Sequence, residues 1–368
     1  MRKILRPYVF VLAALVLALA LTQLVTSSEA VVLDLGGESA IELIDTGEEF
    51  IITAGPAHLA VPMVMEGHTH DPVFLPIDSV TIPADVHVYG FDYAVVDSEG
   101  NELPREILHH FNLIDSNHRE LFLPITRRLY AAGTETGAQS MPWLLFGHPL
   151  EEGQRIVVSV MLHNPTGVEH DGVHLLIRLR YVKTGRPWPL FAVYPFQFDV
   201  LFPAGDKSFD LPAGRSSQSY EASPAIAGRL MVVGSHLHPL ATSVVFEDVT
   251  ADEVIWEGFP VEQDGELTGV TIGHLYRTGG VKIYPDHTYR ATVYYDNPAG
   301  ETITDGGMGV VAGAFVPALG EEWPEVDRED PLYQLDRSHF LREVRGRLDV
   351  ITGQVDAEAE AEASHHAH

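Results

Sequence analysis

The sequence predicts an all-β protein: two β-sandwich domains in tandem, of the plain or jelly-roll kind, with a membrane helix ahead of them and a short helix and tail behind. Three observations carry this. Short segments rich in β-branched and aromatic residues recur through the body, separated by Gly, Pro, Asn and Asp turns. Helical periodicity is almost absent between the N-terminal apolar run and residue 331. Two Pro-Ala-Gly turns, at 203–205 and 212–214, bracket Lys207 and Phe209 and split the body into parts of ordinary domain size.

Taken in order, the chain begins with Arg2, Lys3 and Arg6, followed by an apolar run from Tyr8 to Val25. About 18 residues is near the minimum for a membrane span and long for a signal-peptide core. The basic flank places the start in the cytoplasm and the body on the extracytoplasmic, periplasmic side. Secretion after cleavage behind Ser28-Glu29-Ala30 is the alternative. Strands are expected at Val86–Val96, Arg105–Ile114, Arg155–His163, Val173–Val182, Leu230–Val233, Ser243–Glu247, Val281–Tyr284, Thr288–Tyr295 and Met308–Phe315. From Pro331 to Val350, Leu332, Leu335, Phe340, Leu341, Val344 and Leu348 recur at helical spacing. Beyond Gly353, an Ala-Glu alternation ending in Ser364-His-His-Ala-His368 reads as a solvated tail. The resulting division is 1–30 for the anchor, 31–205 and 206–320 for the two sandwiches, and 321–368 for the helix and tail.

A net charge of −29 argues against nucleic acid and anionic lipid surfaces as partners. The absence of cysteine removes disulfides, thiolate zinc sites, iron–sulfur clusters and thiolate-ligated copper together. Any metal must therefore use His, Met or carboxylate. No Gly-rich phosphate loop, Gly-x-Ser-x-Gly elbow or His-Glu-x-x-His helix occurs.

Among the 19 histidines, His236 and His238 lie one residue apart at the end of the apolar run Met231-Val-Val. On a continuing strand their rings share a face and reach one point. His109 and His110 are adjacent, so a common target requires a bulge or strand end. His163 closes the run Ile156–Leu162 and opens the turn Asn164-Pro-Thr-Gly167. Met308 sits between glycines in Asp305-Gly-Gly-Met-Gly309, and its soft thioether suits copper(I). His68-Thr-His70 is a second His-x-His and a candidate third metal site.

A His-His pair, a Leu-His-Asn-Pro turn, a His-x-His and, about 70 residues later, a glycine-flanked Met together resemble the type II ascorbate-dependent copper monooxygenases, the family of peptidylglycine α-hydroxylating monooxygenase and dopamine β-monooxygenase. The resemblance covers roughly Val86 to Val316 and extends to Phe198-Asp-Val-Leu-Phe-Pro-Ala-Gly205 with Lys207 and Phe209. It implies two tandem jelly-roll domains, each presenting one copper across an open gap. His109, His110 and His163 would form the electron-relaying site. His236, His238 and Met308 would form the catalytic site, where dioxygen binds and a C–H bond of a small organic substrate is hydroxylated, with ascorbate or another reductant as donor.

The chain also departs from that pattern. Where peptide-amidating members carry an arginine two residues before the His-x-His, this chain has Gly234, and Val310 and Ala312 replace an expected Asn and Tyr. Glycine-extended peptides are therefore not the expected substrate. Two other functions compete: a non-catalytic accessory subunit of a larger membrane complex built on the same fold, and copper binding without turnover.

Overall fold

The computed structural model describes residues 40–61, 73–185, 187–202, 207–263 and 266–352. The expected anchor over 1–30, the His68-Thr-His70 motif and the Ala-Glu tail lie outside the described residues. No helix among the described residues is long and apolar enough to cross a membrane.

The body is all-β, in two sandwiches. In the first, one sheet runs in the order Ala40–Asp45, Glu49–Leu59, His170–Lys183, Val86–Val96, Phe146–Leu150 and Phe191–Ala192, with Gln139–Ser140 on Val86–Val96. The facing sheet runs Val73–Phe74, Arg155–Leu162, Leu108–Arg119 and Thr126–Gly133, with Asp78–Thr81 on Arg155–Leu162. Alternation produces the shared core. Along Val86–Val96 the buried side chains are Val86 and Val88, then Phe91, Tyr93 and Val95, a change of phase by one residue, with Val96 buried as well at the strand's end. The change of phase falls where Tyr89 is the extra residue of a bulge opposite Arg180 and Tyr181.

The second sandwich pairs the sheet Tyr194–Asp199, Gly309–Pro317, Gly228–Leu237 and Val281–Ile283 with the sheet Gly214–Ala222, Tyr289–Asn297, Ala241–Asp248 and Glu253–Gly258. Its first strand begins before the expected division at residue 205: Tyr194–Asp199 pairs along Gly309–Pro317, from Tyr194 opposite Phe315 to Asp199 opposite Val310. Phe196 and Phe198 of that strand are buried in the second core. The seam between halves therefore falls before Tyr194, ahead of both Pro-Ala-Gly signals, of which 203–205 lies outside the described residues.

The seam is also crossed in the other direction. Leu121, Phe122, Leu123 and Ile125, from the turn joining two first-sandwich strands, are buried in the second core. Phe122 stacks on Phe198, with ring centroids 4.8 Å apart and planes at 9°. Beside it Glu120, fully buried, accepts hydrogen bonds from Arg128 N at 2.7 Å and from Gln197 N at 2.9 Å, one from each half. The two sandwiches therefore belong to one compact unit.

The helix Pro331–Thr352 occupies the stretch expected of it. Asp330 caps it, its Oδ1 accepting from Leu332 N at 2.8 Å and Tyr333 N at 3.3 Å, and Pro331 follows where its missing N–H costs nothing.

A second buried carboxylate supports the same hairpin. Asp115 Oδ2 accepts from Arg127 Nη2 at 3.0 Å and Gln154 Nε2 at 3.1 Å, and lies 2.8 Å from His118 Nδ1. The Arg127 guanidinium carbon lies 5.4 Å and 5.0 Å from the Tyr194 and Trp323 ring centroids, so this network also reaches the second half. Burial pushes the Asp115 carboxyl up, but the His118 hydrogen bond, the Arg127 charge and the Asn117 N–H outweigh it and bring it from 3.8 down to about 2. A depressed folded-state pKa adds stability that is present above the unfolded value and lost as pH falls through the folded one. That contribution is about 2 kcal/mol. In urea unfolding, the native protein is expected to lose about 2 kcal/mol more than Asp115→Asn between pH 5 and pH 2; parallel losses would remove Asp115 from the account.

Candidate metal centre

His109 and His110 open the strand Leu108–Arg119, directly after a tight turn at Arg105–Ile107. Opposite them the register slips: His110 faces Met161 and Leu108 faces Leu162, so His109 is the extra residue of a bulge. The bulge removes the alternation that would send adjacent rings to opposite faces. The two Nδ1 atoms lie 2.6 Å apart. His163 follows the end of the neighbouring strand, its N–H donating to Ile107 O at 2.9 Å and its Nε2 to the Glu106 carbonyl. Its ring centroid is 5.1 Å from that of His109.

His236 lies in the strand Gly228–Leu237 and His238 one residue past its end, with ring centroids 5.4 Å apart. The two histidine sets that the resemblance to copper monooxygenases would set on either side of a gap meet here. His110 Nε2 lies 3.3 Å from His236 Nε2, and one nitrogen from each of His110, His236 and His238 falls within 4.8 Å of the others. His109 and His163 continue the cluster on the far side of His110. The physical reason is the insertion of Leu121–Ile125 into the second core, which leaves the two halves no freedom to stand apart.

Met308 borders the same cavity as His110 and His236. Its backbone is held by one buried hydroxyl: Tyr295 Oη accepts from Met308 N at 3.0 Å and donates to the Met308 carbonyl. The same oxygen accepts from His238 N at 3.3 Å, fixing Met308 relative to His238. The flanking glycines serve close packing against the core. A Cβ on Gly307 would stand 2.4 Å from Phe209 Cε2, and one on Gly309 2.8 Å from Val293 Cγ1.

Glu135 escapes a histidine-centred reading. It comes from the turn after Thr126–Gly133 in the first half, is 8% exposed, and its Oε1 lies 2.5 Å from His236 Nδ1 in the second. Thr136 Oγ1 donates to the same oxygen at 3.1 Å and accepts from Gly133 N at 3.1 Å. Gly133 must be small, since a Cβ there would lie 2.6 Å from Glu135 Oε2 and 3.1 Å from His236 Cε1. The available signal is Gly133-Thr-Glu-Thr-Gly137, a carboxylate in a glycine-flanked turn at a strand end.

The electrostatics follow from this pairing. Burial pushes Glu135 up, but the His236 charge and hydrogen bond prevail and hold it below its ordinary value. Burial lowers His236, and the Glu135 charge and hydrogen bond raise it overall. Burial, then the neighbouring His236, His109, His238 and His163, hold His110 well below its usual value. Burial and His236 bring His238 down to about 4. With Nδ1–H given to Glu135, His236 directs Nε2 at the shared point, as histidines do at metal sites when a carboxylate takes the other nitrogen.

The donor set fits a transition-metal ion. Two nitrogens bound tetrahedrally at about 2.0–2.1 Å stand about 3.3 Å apart, and the His110–His236 separation is 3.3 Å. Beside the cluster lies a cavity of about 1050 Å³, walled largely by apolar groups that include Phe91, Phe111, Tyr130 and Phe196.

No protein-family model matches the chain, and no protein of curated function does. Among solved structures it is similar to a chain of Sulfolobus Turreted Icosahedral Virus, 11% identical over 82% of this chain and 99% of that one, with a TM-score of 0.29. A jelly-roll protein of turret assembly in an archaeal virus is 9% identical over 68% of this chain and 60% of that one, at 0.16. Tripeptidyl peptidase 2 is 12% identical, covering 73% of this chain and 23% of its own, at 0.18. Similarities this low carry no conclusion about topology or activity.

Proposed function

We propose that the protein is a copper-binding, monooxygenase-like enzyme, with jelly-roll connectivity in each sandwich, that hydroxylates a small organic molecule held between the halves. The observation that carries the reading is the convergence of His110, His236 and His238 within 4.8 Å, with Glu135 orienting His236 and a cavity alongside. Three imidazoles without thiolate suit copper in either oxidation state, and Met308 on the same cavity adds a soft donor for the reduced ion. Bound copper would supply the redox chemistry that activates dioxygen. One oxygen atom would enter a C–H bond and the other leave as water, with two electrons from a reductant such as ascorbate and two protons. This chain's own residues would hold the ion, fix the His236 tautomer through Glu135, and exclude water from the substrate by the apolar walls.

Copper binding without turnover is favoured by one observation. The direct contact of His110 with His236 joins the two histidine sets, so that the expected relay site would share His110 with the second set rather than stand apart from it.

The test is copper content of the full chain, isolated from its native membrane fraction and compared with His110→Ala and His236→Ala. At least one equivalent per chain is expected for the native protein, and each variant should lose the ion on His110, His236 and His238. No copper retained at micromolar concentration by the native protein would end the proposal. Oxygen consumption with ascorbate then separates turnover from storage.

A further inference from the structure

The cavity beside the histidine cluster carries few permanent charges on its wall, and they are balanced in sign. Its described lining contains four side chains of permanent charge, Arg128, Glu135, Asp199 and Lys207. Each is committed to an ion pair. Arg128 Nη1 lies 3.6 Å from Asp199 Oδ2, with the two side chains 18% and 4% exposed. Lys207 Nζ lies 3.5 Å from Asp336 Oδ1 of the C-terminal helix, and its ammonium also stands 5.0 Å from the Phe202 ring centroid. Glu135 is taken by His236 at 2.5 Å.

The paired strands carrying His236 and Met308's neighbours, which border this space, add no further permanent charge to it. Gly234, Val310 and Ala312, neighbours in one sheet through the pairs Gly234 with Ala312 and His236 with Val310, all border it and offer no polar side chain. Gly234 is open. A Cβ built there meets nothing closer than Ile272 Cγ1 at 3.9 Å. An ion entering the cavity would surrender its hydration and find only counter-charges already engaged, whereas an apolar body would cover apolar wall.

We infer that the cavity selects an uncharged, predominantly apolar small molecule, an aromatic or hydrocarbon body without carboxylate or ammonium, and rejects anionic and cationic analogues of the same shape. The inference rests on the reading of this cavity as the substrate chamber, and names the class of molecule that chamber takes. It assigns selectivity to the protein walls, so it holds with or without copper.

The experiment uses the full chain after EDTA treatment and three probes on one ring system: 2-methylnaphthalene, 2-naphthoate and 2-naphthylmethylammonium. Binding is read from probe fluorescence. The neutral probe is expected to bind at one equivalent per chain, at least ten-fold more tightly than either ion. Gly234→Phe, at a position that borders the cavity and whose Cβ meets nothing closer than 3.9 Å, should weaken the neutral probe at least ten-fold with an unchanged thermal melt. Gly234→Arg, which adds an unpaired cation, should move the preference toward 2-naphthoate. Equal affinity for the neutral and charged probes, or neutral binding untouched by both variants, overturns the inference. A parallel copper titration keeps the two claims apart. Probe selectivity in a protein that binds no copper supports this inference and removes the metal reading, whereas copper binding with no probe selectivity does the reverse.

Discussion

Glu135→Ala is expected to weaken copper binding about ten- to a hundred-fold, the range seen when the group orienting a metal-bound histidine is removed. The carboxylate does two things at once. It takes Nδ1–H of His236, so that Nε2 faces His110 Nε2 across 3.3 Å, and it places a negative charge behind a ring that must donate electron density. Glu135→Gln separates the two, because the amide oxygen still accepts from Nδ1–H while the charge is gone, and a loss smaller than that of Ala is expected. Gly133→Ala should resemble Glu135→Ala, since the new methyl would occupy the carboxylate's place. Competition against a copper chelator measures all three, with thermal melts as the control for folding. Affinity within two-fold of the native protein for Glu135→Ala would remove the orienting role. Nitrogen shifts of His236 in metal-free protein add a reading independent of copper, because loss of Glu135 should shift the tautomer balance away from Nδ1–H.

Phe122→Ala is expected to cost about 3–5 kcal/mol, the usual range for a large aromatic removed from a packed core. Phe122 is 2% exposed and packs against Phe196, Phe198, Phe246 and Tyr289. Its position gives the loss a second consequence. The ring belongs in sequence to the first half and in packing to the second, so it locks the relative placement of His110 and His236. Copper affinity should therefore fall more than ten-fold in Phe122→Ala. Leu179→Ala, which empties a fully buried position inside the first core alone, is the comparison. A comparable stability loss with little change in copper affinity is expected there. If the two variants lose copper equally, the seam has no special part in holding the site.

Much of the fold is legible in the chain because period-two burial is local. The strand Val86–Val96 is read at its true limits, and the helix from Pro331 is announced by its apolar spacing, while its Asp330 cap shows only in the structure. The adjacent His109 and His110 state in advance that a bulge or strand end is needed to bring them together, and the bulge is there. The departure at residue 205 has an equally local cause, since Pro-Ala-Gly specifies a turn and says nothing about which core the preceding Phe196 and Phe198 fill.

By itself the sequence determined the β class, the candidate donor residues and the exclusion of thiolate chemistry, all of which depend on residue type and near-neighbour spacing. Only the tertiary structure decided that His110 meets His236, that Glu135 stands behind that ring, and that Tyr295 ties Met308 to His238. These contacts join residues 126, 101, 57 and 13 positions apart. The longest of them, between His110 and His236, follows from the burial of Leu121–Ile125 in the opposite core, an outcome of packing that no local pattern encodes.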